Sequence, residues 1–177
     1  GARSRDPLKY HKDAVLLAKA LETEQDEFMI SRYTFYLAQS LRDSGQYADA
    51  IHQYLRRASQ EFWIEERYCA LLYAGRLMEQ TPSYTSHEIA DVYRRAIELV
   101  PNRQEAIHAL VRYLRIRGEY KLAHSWAMEG VQLCKPGAGL FLENWIYDFA
   151  MNDEAAIVAY WCGEDQKCIE LCMRCLE

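Results

Sequence analysis

The stretch YTFYLAQSLRDSGQYADAIHQYLRR, Tyr33 to Arg57, decides the fold. Leu37, Ala38, Leu41, Gly45, Tyr47, Ala50 and Tyr54 fall at the spacing of a helix, a tight turn and a second helix packed back on the first. Gly45 stands where a left-handed residue ends a helix, Tyr47 is expected to pack into the corner, and Ala50 allows the second helix to approach closely. The pattern recurs. Leu110, Leu114, Gly118, Tyr120 and Ala123 each lie 73 positions beyond Leu37, Leu41, Gly45, Tyr47 and Ala50. Two helix pairs of about 34 residues leave roughly five over, and the polar run from Gln80 to Ser86 is the place to hold them.

Outward from this unit, Asp6 and Pro7 signal the start of a first helix that ends near Glu24, with Leu8, Val15, Leu16, Ala18 and Leu21 as its apolar stripe. A partner helix is expected from Asp26 or Ser31, completing a partial repeat. The middle repeat is predicted over 63–79 and 86–99, with Pro82 stopping one helix and Ser86 capping the next. The third takes 103–117 and 120–133, and Lys135-Pro136-Gly137-Ala138-Gly139 interrupts the array. A last helical region spans 142–161, with a break expected near Met151-Asn152; Gly163 then turns the chain into a final helix ending at Leu176. That helix carries Cys168, Ile169, Leu171, Cys172 and Cys175, an apolar face expected to touch an earlier element, another segment or a second copy.

Spacing of this kind defines a tetratricopeptide-like unit. The expected fold is therefore all-α, a right-handed superhelix of antiparallel helix pairs, three to four repeats plus a leading helix. Residues 1–6 read as a linker or expression remnant and 7–177 as a single helical-repeat domain cut from a longer protein.

Composition narrows function mainly by exclusion. Half of the 177 residues are hydrophobic, enough for a real core without staples. The net charge of -5 argues against a general nucleic-acid binder, and no apolar run approaches the roughly 20 residues of a membrane span. Six cysteines crowded toward one end read as reduced thiols of a cytoplasmic protein.

Several segments resemble the helical-repeat region behind family 2 glycosyltransferase domains: RYTFYLAQSLRDSGQYADAIHQYLRR, FWIEERY, PNRQEAIHALVRYLRIRGEYKLA and NDEAAIVAYWCGE. The resemblance implies an accessory domain whose nucleotide-sugar chemistry lies upstream. The chain itself has no Asp-x-Asp motif and no Gly-rich phosphate loop, so no active-site residue is carried over.

Candidate chemistry is sparse. Cys162, Cys168, Cys172 and Cys175 lack the paired C-x2-C spacing of thiolate metal sites and read as packing residues. The five histidines are scattered, and the pairs Glu65-Glu66 and Asp153-Glu154 read as helix-start or solvated residues. Trp63, Trp126, Trp145 and Trp161 sit at core-like positions, which favours packing over a stacking platform. No catalytic residue, cofactor or metal site is assigned.

What remains is a groove lined by the first helix of each pair. The register projects Arg32, Phe35, Tyr36, Gln39 and Arg42 into it from the first full repeat, and His108, Arg112 and Arg115 from the third. Such a surface would hold an acidic peptide or another anionic ligand. Equally, these arginines would bond to Glu and Asp on neighbouring helices. The sequence thus gives a non-catalytic interaction or scaffold domain beside a glycosyltransferase domain, with a stand-alone adaptor as the alternative and an enzyme as the weakest reading. Expected partners are a protein or peptide, including its own upstream domain, and a second copy through the final helix.

Overall fold

The computed structural model describes residues 8–176; the proposed linker and the Asp6-Pro7 start signal lie outside the described residues. These form α1 (Lys9–Thr23), α2 (Glu27–Asp43), α3 (Tyr47–Ser59), α4 (Ile64–Met78), α5 (Ser86–Leu99), α6 (Gln104–Ile116), α7 (Tyr120–Gly130), α8 (Met151–Trp161) and α9 (Asp165–Arg174), with no strand among them. The chain is all-α and divides into two compact units that meet in sequence at Ile89 and Ala90, within α5.

In the first unit each helix packs against the next, from α1 to α4. Asp26 opens α2, its carboxylate accepting from the backbone N–H of Phe28 at 2.8 Å and Met29 at 3.2 Å. Ser31, the other expected start, is buried inside the helix. Phe35, Ala38, Ala50, Ile51, Tyr54 and Tyr68 form the core, and the alanines at 38 and 50 let the helices close on one another. The expected stripe on α1 is largely wrong. Only Ala14 is buried in that helix, and Val15 and Leu16 are exposed, because α2 covers one side of α1 and the stripe residues span a wider arc.

Helix ends follow backbone chemistry. Gly45, Gly118 and Gly163 all take positive φ, between 77° and 81°. Beside them the N–H groups of Gln46, Glu119 and Glu164 reach back to the carbonyls of Leu41, Leu114 and Ala159 at 2.9 to 3.0 Å. Tyr47, by contrast, is exposed rather than packed into the corner. Thr85, not Ser86, caps α5: its N–H donates to Glu88 Oε2 at 2.8 Å and its Oγ1 accepts from the Glu88 N–H at 3.3 Å.

In the second unit α6 packs on α7, α7 on α8 and α8 on α9. Every residue from Arg103 to Val111 is buried. The expected break near 151 is a π-helical turn just ahead of it, Ile146–Ala150, running directly into α8. At Gly130 an added Cβ would lie 2.8 Å from Met151 Sδ and 2.9 Å from Ile107 Cγ2, so glycine is there for space. On α9 only Leu171 is buried; Ile169 and Met173, and Leu176 beyond it, remain exposed.

Candidate interaction surface

The surface begins with a buried cation. Arg57, on the last turn of α3, is wholly inaccessible, and its Nε donates to Glu66 Oε2 at 2.9 Å. The rest of its guanidinium gathers three backbone carbonyls, those of Gln60 at 3.4 Å, Glu61 at 3.3 Å and Phe62 at 3.2 Å. Burial pulls the Arg57 pKa below its ordinary value, and the Glu66 carboxylate opposes that pull. Glu66 is also buried, and its other oxygen accepts from Arg32 of α2.

Tying three successive carbonyls to one guanidinium folds the chain into a tight turn. Phe62 lies at φ 68° and Trp63 at φ 27°, a region where a bulky residue costs about 1 to 3 kcal/mol. The strain does not bury either ring: Phe62 is 42% exposed and Trp63 46%. Phe28, also exposed, meets Phe62 edge to face with centroids 5.7 Å apart. Arg32 lies 4.9 Å from both the Tyr36 and the Trp63 rings, and donates to the Tyr36 hydroxyl. Phe28, Arg32 and Tyr36 are four residues apart, so they share one face of α2. The first unit thus presents Phe28, Tyr36, Phe62 and Trp63 in one aromatic face, pinned from behind by Arg57, Glu66 and Arg32.

The residues projected from the repeat register fare unevenly. Tyr36 is exposed on this face and Gln39 is half-buried. Phe35 is instead a core residue, its ring 6.0 Å from Tyr54. Arg42 bonds Asp43 at 2.7 Å and lies 5.3 Å from the Tyr73 ring. Burial works to lower its pKa, and the Asp43 bond outweighs this, leaving it above the ordinary value. His108 is buried against Trp145, ring centroids 5.3 Å apart, so it too leaves the projected groove. Arg112 is half-buried, and Arg115 grips Glu154 with two bonds of 2.6 and 2.9 Å. Three of the arginines are therefore held by carboxylates. Arg32 and Arg115 each reach from one helix pair to an acid on the next, Glu66 and Glu154, whereas Arg42 takes Asp43, its neighbour on α2.

The second unit has its own buried ionic cluster. Arg103 donates to Glu105 at 2.7 and 3.1 Å and to the Leu140 carbonyl at 3.0 Å. The π-helical turn carries Tyr147, whose hydroxyl donates to Glu105 Oε2 at 2.7 Å and accepts from the Gln104 N–H at 3.2 Å. Burial favours a raised Glu105 pKa, but the Arg103 and Tyr147 bonds prevail and hold it below the ordinary carboxylate value. Burial, reinforced by the Glu105 bond, pushes the Tyr147 phenol well upward. These groups are consumed in joining α6 to the 140–147 segment. They bind structure, not a ligand.

Sequence reasoning placed the tryptophans in the core, and the structure reverses this for three of four. Trp63, Trp145 and Trp161 are exposed, with Trp161 stacked on Tyr120 at 5.1 Å and Trp145 beside Phe149 at 6.2 Å. The four cysteines expected to pack are likewise less buried than expected: Cys172 is exposed and Cys162, Cys168 and Cys175 are only half-buried. Arg57, Arg103 and Glu105 were not singled out; Glu66 and Glu154, read as helix-start or solvated residues, do lie in the first turns of α4 and α8 but are buried rather than solvated. The available signal was that Arg103 and Glu105 fall inside the PNRQEA block and that Glu66 falls inside FWIEERY, with Arg57 shortly before it.

Comparison with solved structures agrees with this geometry. The crystal structure of MamA superimposes with a TM-score of 0.70 at 17% identity, over 95% of this chain and 87% of that one. A putative kinesin light chain of Podosopora anserina with nearly identical TPR-like repeats gives 0.65 at 15% identity, over 94% and 85%. The fold is TPR-like. At these identities the likeness concerns architecture alone. No protein-family model and no curated protein matches the sequence. Among the described residues no helix is long and apolar enough to cross a membrane.

Proposed function

We propose that this chain is a helical-repeat protein-interaction module whose recognition surface is the aromatic face of the first unit. The observation that carries this reading is the strained pair Phe62 and Trp63, held at positive φ by a buried arginine and left half-exposed. A turn under strain that buried its rings would be explained by core packing. One that displays them is explained by recognition, since exposed aromatic rings anchored from behind bind partners at low entropic cost. The accessory role beside a family 2 glycosyltransferase domain belongs to the same proposal and rests on the sequence resemblance.

A second reading, an anionic ligand held at Arg112, rests on the repeat register that projects this residue of α6 into the groove. Affinity capture from source-cell lysate, with identification by mass spectrometry, separates the two. The aromatic reading expects the same proteins on the natural chain and on Arg112→Glu, and their loss on Tyr36→Ser/Trp63→Ser. Loss on Arg112→Glu alone supports the anionic reading. Retention by every variant contradicts both.

A further inference from the structure

Beside the aromatic face is a cleft of about 250 Å³ lined by Glu27, Ile30, Gln60, Glu61 and Phe62. Its chemistry is one-sided. Glu27 and Glu61 bring two exposed carboxylates; of the cations beside them, Arg67 stands 4.0 Å from Glu61 and is bonded to the Ala58 carbonyl at 3.1 Å, and the buried Arg57 is taken up by Glu66 and the backbone carbonyls of 60 to 62. The Gln60 amide turns its Nε2 to Thr34 Oγ1 at 3.3 Å, and Thr34 in turn donates to the Ile30 carbonyl at 2.7 Å. That chain fixes the orientation of the amide and leaves Gln60 Oε1 buried with no donor. The lining side chains therefore offer acceptors, an aliphatic wall from Ile30 and an aromatic wall from Phe62. The nearby Arg32 is spent on Glu66 and Tyr36.

We propose that this cleft receives the Lys or Arg side chain of a peptide segment of the partner, whose adjoining apolar residue lies on Phe28 and Trp63. The inference rests on the interaction reading above and adds its ligand class. Complementarity argues for it at each point of the side chain. The aliphatic stem matches Ile30, the cationic head matches two carboxylates and a ring face, and a cleft of about 250 Å³ has room for one long side chain. An acidic peptide would instead meet the like charges of Glu27 and Glu61.

The test uses a fluorescein-labelled heptapeptide, Gly-Ser-Leu-Lys-Phe-Ser-Gly, and the same peptide with Glu in place of Lys, titrated by anisotropy against the whole chain at low salt. The Lys peptide is expected to bind and the Glu peptide not. Glu27→Gln/Glu61→Gln should weaken the Lys peptide at least tenfold with an unchanged melting temperature, while Glu22→Gln on α1 leaves binding unaltered. Raising the salt should weaken the natural chain far more than the double variant, because the contacts are exposed and screened. Equal binding of both peptides, or a Lys peptide indifferent to Glu27→Gln/Glu61→Gln, overturns the cleft and leaves the module intact. Binding of neither peptide also overturns it, and the capture experiment with Tyr36→Ser/Trp63→Ser then decides the interaction reading independently.

Discussion

Replacing Glu66 by Gln removes one charge from the centre of the clamp and changes almost nothing in shape. Arg57, wholly inaccessible, would then keep only neutral acceptors: three carbonyls at 3.2 to 3.4 Å and the new amide oxygen. Breaking a buried ion pair from one side costs about 3 to 5 kcal/mol. The three carbonyls soften the penalty, and Arg32, with 20% side-chain exposure, can turn to water. The expected loss is therefore near the lower end, about 3 kcal/mol, or roughly 6 to 12 °C in Tm for a chain of this size. Urea denaturation followed by circular dichroism measures it. Arg57→Met/Glu66→Leu removes both charges and should recover at least half of the loss, since an apolar replacement leaves no uncompensated ion. A loss under about 1 kcal/mol for Glu66→Gln, or a double variant less stable than the single one, would refute the account of the clamp.

Three further outcomes are expected. Phe62→Gly relieves a positive φ and should leave stability unchanged or raise it by about 1 kcal/mol, while weakening partner capture; a urea titration showing loss of more than about 1 kcal/mol contradicts the strain assignment. Gly130→Ala should cost about 1 to 3 kcal/mol, because Ile107 is buried and β-branched and cannot move away from the new methyl as Met151 can. Glu105 has its folded pKa depressed, so its contribution is fully present above the ordinary carboxylate value of about 4.5 and is lost as pH falls toward the folded value. Glu105→Gln should accordingly flatten the acid limb of a stability-against-pH curve, and an unchanged limb would show that the carboxylate is not linked to folding.

The helices were legible because their determinants are local. Gly45, Gly118 and Gly163 each mark a left-handed turn, and Ala50 and Ala123 each mark a close approach of backbones, so a single chain with two matching segments sufficed. The surface was not legible, because it depends on contacts between residues that the pattern treats as unrelated. Arg57 falls three residues after Tyr54 and seven after Ala50, on the buried face of α3, but its spacing does not say that an inward-facing charge there meets Glu66 and the carbonyls of 60 to 62. Repeat register also assumes that equivalent positions behave alike. Phe35 and His108 are equivalent and both buried, yet Arg42 bonds its own neighbour while Arg115, at the same register, reaches across to Glu154. The tryptophans failed for a related reason. Helical spacing tells which residues share a face, and burial of that face depends on how much of it the next helix covers.

The most direct test of the account is photo-crosslinking in source cells with p-benzoylphenylalanine placed at Phe28, and separately at Ile116 as an exposed control. The account predicts a discrete protein adduct from position 28, absent from position 116 and lost when Trp63→Ser is added. Adducts of equal yield from both positions, or an adduct from position 28 that survives Trp63→Ser, would contradict the claim that the aromatic face is where this chain meets its partner.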